Sequence, residues 1–145
     1  MVLTISSTAF ENKGLIPRKY AGEGDNVSPP LTIQGIPTGT KTLALVVDDP
    51  DATLGTWVHW VMWNIPPVET IVENSAPGVQ GRNSAWKSSY SGPHPPFGIH
   101  RYFFKVYALD SDLNLDRSAS KQDLEKAMMN HILAKAELVG LYKRG

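Results

Sequence analysis

Residues able to move protons or hold an anion gather in three short stretches of the chain. Asp48, Asp49 and Asp51 crowd around Pro50 at the end of the apolar run TLALVVDD. His59 stands among Trp57, Trp60 and Trp63 in TWVHWVMWNIP, and His100 and Tyr102 open HRYFFKVYALD, directly after the rigid stretch SGPHPPFG. A histidine inside an apolar strand needs a hydrogen-bond partner. A carboxylate of the acidic turn is the partner expected, orienting the ring and favouring one tautomer or the cationic form. An imidazole N–H, a phenol O–H and loop backbone N–H groups together make a donor set for phosphate or carboxylate oxygens. Gly92 and Gly98 would let backbone approach such a ligand, and Pro93, Pro95 and Pro96 would hold the loop ready at low entropy cost. Loop and strand then form one wall of a small anion pocket. Taken singly, each piece also has a plain reading: the acids suit an ordinary turn, and the Gly/Pro loop a stiff surface connection.

The elements that must position these groups read mostly as strands. Thr42 to Asp49 is a compact buried strand ending in acids, and Thr56 to Pro66 is a second, rich in aromatic and β-branched residues. Strict alternation would put Trp57, His59, Val61 and Trp63 on one face of it. In the third, His100, Tyr102, Phe104 and Val106 share a face, with Arg101, Phe103, Lys105 and Tyr107 opposite; Arg101 is expected to pair with an acid of the turn. The stretch GVQGRNSAWKSSYSGPHPPFG lacks helical periodicity and reads as an ordered functional loop. Ser120 to Gly140 reads as one helix. Ser120 with Asp123 suits a capping box, Gly140 a helix end, and Leu124, Ala127, Met128, His131, Ala134 and Leu138 a buried stripe. His131 is then a packing histidine, not a ligand. Strands first and a helix last favour a mainly β, sandwich-type domain with a C-terminal helix over a doubly wound α/β fold.

Composition narrows the function classes. The 145 residues are expected to form a single domain, residues 1–145, and 14 Lys+Arg balance 14 Asp+Glu, against a nucleic-acid or anionic-membrane binder. Absence of cysteine removes disulfides, Cys–zinc sites and thiol catalysis. The first residues lack the basic start and apolar core of a leader, so a cytoplasmic location is expected. Two carboxylates and two histidines without a close ligand pair do not predict a metal site, and no cofactor is expected.

The ordered combination of GDNVSPPL, DDPDA, WVHWVMWNIP, YSGPHPPFGIHRY and AELVGLY resembles the phosphatidylethanolamine-binding protein family, in its small bacterial and archaeal branch. The resemblance implies a central antiparallel β-sandwich with an anion pocket near one end. It further implies that Asp49, His59, Gly92, Pro93, His100 and Tyr102 bind the ligand, with Asp51, Ala52 and Trp57 as neighbouring support. Many members have proline after DPDA, where this chain has Thr53.

The leading expectation is a binding protein for a phosphate- or carboxylate-bearing small molecule, a phosphorylethanolamine-like headgroup among them. The resemblance adds a kinase-inhibitor-like role toward protein partners. Two alternatives stand beside it: a hydrolase using the Asp/His pocket as general acid and base, and a partner-docking protein with a vestigial pocket. Binding is favoured over catalysis because the chain has no G-x-S-x-G elbow and no Gly-rich phosphate loop. A homodimer through aromatic edges near Trp86 and Tyr90 is a further expectation.

Overall fold

The computed structural model describes residues 2–145. Its strands are β1 (Thr4–Ser6), β2 (Gly14–Leu15), β3 (Leu31–Gln34), β4 (Thr42–Asp49), β5 (Trp57–Ile65), β6 (Thr70–Ile71), β7 (Val79–Gln80), β8 (Ile99–Leu109) and β9 (Ile132–Lys143). One α-helix, α1 (Lys121–Met128), precedes β9. A six-stranded sheet runs β2-β9-β8-β4-β5-β7, and a three-stranded sheet runs β1-β3-β6. All pairings are antiparallel except β2 with β9. The architecture is the mainly β one expected.

The main core joins Ile5, Leu31 and Ile33 of the small sheet to Leu45, Trp60, Met62, Tyr102, Phe104 and Val106 of the large one. A second cluster, with Val46, Val61, Trp63 and Leu109, lies on the other side of the large sheet beneath Leu124 and Met128 of α1. β4 is buried along its whole length because it has β5 and β8 at its edges and side chains covering both faces. Such a strand reads as a continuous apolar run, and TLALVV does.

Two sequence-based expectations are overturned here. Trp57, His59, Val61 and Trp63 do not share a face. In the β4–β5 register Asp48 faces Val58 and Val47 faces Trp60, so His59 is an extra residue in a β-bulge. The bulge reverses the alternation: Trp60 and Met62 enter the main core, whereas Val61 and Trp63 enter the helix-side cluster. A second irregularity, around the left-handed Asn64 (φ 53°), returns Ile65 to the main core.

The helix is also much shorter than Ser120 to Gly140. Its start is as expected: Ser120 Oγ accepts from Asp123 N–H, and the Asp123 carboxylate accepts from Ser120 N–H. It stops at Met128, and Asn130 follows in the left-handed region at φ 69°. Beyond it the chain becomes β9, paired with β8 from Ile132–Leu109 through to Lys143–Ile99. Positions 134 and 138 fit both a helical and a two-residue period, so apolar spacing alone could not separate the two. The long edge of β8 decided it, because only a strand satisfies those backbone groups. Gly140 therefore does not end a helix. It lies within β9, where an added Cβ would meet Ile16 at 2.5 Å and Phe10 at 2.9 Å. His131 sits in the turn, half-exposed and bonded to Asp110 Oδ1 at 2.8 Å, rather than packed in a helical stripe.

Candidate functional site

At one end of the large sheet, β4, β5 and β8 deliver Asp49, His59, His100 and Tyr102 to a single cleft of about 550 Å³. Alternation splits the neighbouring acids of β4. Asp48 is buried on the helix side, where Lys121 (2.7 Å) and Lys105 (3.1 Å) pair with it, while Asp49 faces the cleft. Both oxygens of Asp49 are occupied: Oδ1 accepts from Asp51 N–H at 2.8 Å, and Oδ2 from His100 Nδ1–H at 2.6 Å. The carboxylate expected beside His59 is therefore spent on His100. Register is the reason, since Asp49 sits at the β8 end that carries His100.

His59 finds another partner. Its Nδ1–H donates to the Ser91 carbonyl at 2.7 Å, and the Ser91 N–H returns a bond to the His59 carbonyl at 3.1 Å. Burial pushes the His59 pKa below its ordinary value of 6.5. A carbonyl only accepts, so Nδ1 carries the proton of the neutral ring and Nε2 carries the lone pair. Among the described residues no protein atom bonds Nε2 of His59 or of His100. The His59 ring meets Tyr102 edge-on, with centroids 5.2 Å apart, and His100 stacks on Tyr102 from 6.5 Å. The Tyr102 hydroxyl is buried without a hydrogen-bond partner. Burial first, then the nearby charges of Asp49 and Asp51, push its pKa well above 10, so the hydroxyl keeps its proton. Asp49 acts on that hydroxyl through space without closing a hydrogen bond of good geometry.

The loop wall is rigid for reasons that differ from those expected. Gly92 N–H is not free for a ligand; it donates to Asn26 Oδ1 at 2.7 Å. A Cβ on Gly92 would lie 2.1 Å from the Tyr20 carbonyl oxygen, so glycine is required by the loop's packing on residues 20–26. Pro93 lies buried outside the cleft lining, its carbonyl accepting from Gly22 N–H at 2.8 Å. His94, Pro95 and Pro96 line the mouth instead. Asn83, which no sequence signal singled out, staples the base of this loop. Its Nδ2 reaches the carbonyls of His59 and Ser89 and the Ser91 hydroxyl, and its Oδ1 accepts from Ala85 and Lys87 N–H. Asn26 belongs to the GDNVSPPL stretch, but that motif does not record that its side chain will hold Gly92.

Of the support positions, Ala52 and Trp57 line the cleft, and Thr53 joins them on the rim. Asp51 does not line it. Its carboxylate grips the Arg101 guanidinium at 2.8 and 2.9 Å and the Arg101 N–H at 3.0 Å, locking the acidic turn to β8 as expected of that pair. Arg101 holds the Asp51 pKa down at about 2. The expected aromatic edge survives only in Trp86, which is exposed and covered by the Arg82 guanidinium at 4.9 Å. Tyr90 instead packs on Trp60 and donates its hydroxyl to the Tyr20 carbonyl. Among the described residues no group of three or more His, Asp or Glu side chains is arranged to hold a metal ion, and no helix is long and apolar enough to cross a membrane.

Comparison with known proteins identifies the family and the fold. A UPF0098 protein of Methanothermobacter thermautotrophicus is 46% identical over 151 residues, covering 99% of this chain and 100% of its own. One of Pyrococcus abyssi is 50% identical over 149 residues, covering 95% and 84%. A crystal structure of a phosphatidylethanolamine-binding protein homologue from Chlamydia trachomatis superposes with a TM-score of 0.96 at 38% identity, covering 99% of both chains. That of Escherichia coli YbcL, described as a member of the mammalian family of that name, gives 0.92 at 30% identity over the whole of both chains. The family model for phosphatidylethanolamine-binding proteins matches residues 6–143, and with these bacterial and archaeal relatives it establishes that the chain belongs to the phosphatidylethanolamine-binding protein family.

Proposed function

We propose that the cleft binds the oxyanion group of a small phosphate- or carboxylate-bearing molecule, such as a phosphorylethanolamine-type headgroup. Its purpose is binding and regulation of protein partners, a kinase being one class, rather than turnover. The observation that carries this reading is the Tyr102 hydroxyl: buried, protonated and unpartnered beside two histidines with free Nε2 atoms. A buried donor left unbonded costs about 1–3 kcal/mol, and a bound oxyanion oxygen would remove that cost. The His100–Asp49 pair adds a ring whose orientation is already set, so little ordering is needed on binding. Exposed Leu54 and Phe97 adjoin the rim residues Thr53 and Pro96, and Trp57 stands on the rim itself, which supports contact with a partner once the cleft is filled.

The test is an NMR titration of the four histidines with phosphate and with O-phosphorylethanolamine, beside a His100→Ala control. Saturable shifts of His59 and His100, absent at His131 and lost in the control, are expected. No shift up to millimolar ligand would reject small-oxyanion binding, and attention would pass to the rim as a docking surface in its own right.

A further inference from the structure

We propose that the cleft takes its oxyanion as the proton-bearing monoanion, an acid that still carries one X–O–H, in preference to a fully ionised or proton-free anion. This rests on the oxyanion reading above and names the ligand's protonation state. The geometry is a mismatch between donors and acceptors on the cleft floor. His59 Nδ1–H is committed to the Ser91 carbonyl, so its Nε2 presents a fixed acceptor. Tyr102 presents a hydroxyl donor, and His100, backed by Asp49, presents the third position. Four backbone donors beside the floor are taken: Gly92 N–H by Asn26, Ser91 N–H by His59, Asp51 N–H by Asp49, and Gly22 N–H by Pro93. A proton-free oxyanion would set an oxygen lone pair against the His59 lone pair. An acid monoanion instead donates its O–H to His59 Nε2 and accepts from the Tyr102 hydroxyl.

The surrounding charges point the same way. Asp49 of β4 stands at the floor, Asp48 lies behind β4 on its other face, and Asp51 of the acidic turn acts on Tyr102. On β8, Arg101 is held by Asp51. Lys87 is the only lysine or arginine lining the cleft among the described residues, and it is exposed at the mouth; His94 lines the same loop. Converting His59 to a donor would require protonating a ring whose burial opposes charge. A dianion would thus enter beside a carboxylate without a fixed cation to meet its second charge.

Methyl phosphate and methyl sulfate separate proton from charge and shape. At about pH 5 both are mainly tetrahedral monoanions, but only methyl phosphate, with a second ionisation near pH 6, keeps an O–H. Calorimetric titration of the whole protein at that pH should give a Kd for methyl phosphate at least about thirtyfold lower, since a buried acceptor left facing an acceptor rejects a ligand strongly. Protein titrations common to both ligands cancel in the ratio of the two Kd values. The methyl sulfate Kd divided by the methyl phosphate Kd should therefore fall about tenfold per pH unit above about pH 6, following the ligand's own ionisation. Equal affinities at low pH, or a ratio unchanged with pH, would overturn the proposal while leaving oxyanion binding intact. Failure of both ligands to bind would remove the oxyanion reading itself, and this inference with it. In His59→Asn, whose amide can donate, the preference at low pH should shrink at least about tenfold. An undiminished preference in a folded variant would show that His59 is not the discriminating group.

Discussion

Tyr102 and His59 illustrate how a side chain can be costly to the fold and useful to the site. The Tyr102 ring belongs to the main core, yet its hydroxyl has no partner. Tyr102→Phe removes the unsatisfied group and keeps the ring, so stability in urea should rise by about 1 kcal/mol. Affinity for methyl phosphate should fall about tenfold in the same variant, the loss of roughly one hydrogen bond. Opposite signs in the two measurements are the signature of a group kept for binding. His59 carries a pH signature. Its folded pKa is depressed from 6.5 by burial, so the unfolded chain binds the proton more readily. The sign follows from linkage: its contribution is complete above 6.5 and is lost as pH falls from 6.5 through the depressed folded value. Urea midpoints of the native protein should decline over that window, and His59→Gln should flatten the decline.

At the scale of elements, glycines report which packing the chain chose. Gly140 in β9 faces Ile16 and Phe10, so Gly140→Ala should destabilise by about 1–3 kcal/mol through overpacking. The same change in the interior of a helix would be expected to stabilise by about 1 kcal/mol. A single urea titration therefore separates strand from helix at this position. The bulge at His59 is the element-level device that matters most for the site. It turns His59 into the cleft while its neighbour Trp60 still enters the core, a combination that an unbroken strand cannot deliver.

Across the whole molecule, the site depends on a core shared by two sheets. Phe104 lies on the β8 face that also carries His100 and Tyr102, is fully buried, and packs on Phe10 with ring centroids 5.6 Å apart. Phe104→Ala should cost about 3–5 kcal/mol in denaturant unfolding with an unchanged m-value, the effect of a cavity in an otherwise intact fold. Because the cleft is floored by the ends of β4, β5 and β8, such a cavity should also weaken oxyanion binding in the same calorimetric assay.

Much of this was legible in the chain itself. Alternation in HRYFFKVYALD put His100 and Tyr102 on one face, TLALVV marked the buried central strand, and the acidic turn announced its pairing with Arg101. Those signals survive because they are local: a two-residue period, a continuous apolar run, opposite charges on neighbouring loops. Tertiary structure decided what depends on register. It gave Asp49 to His100 rather than His59, made His59 the bulge residue, and turned the second half of the apparent helix into β9. Each outcome follows from backbone groups and buried polar atoms needing partners far away in sequence, and the spacing of residues within one segment does not record where those partners lie.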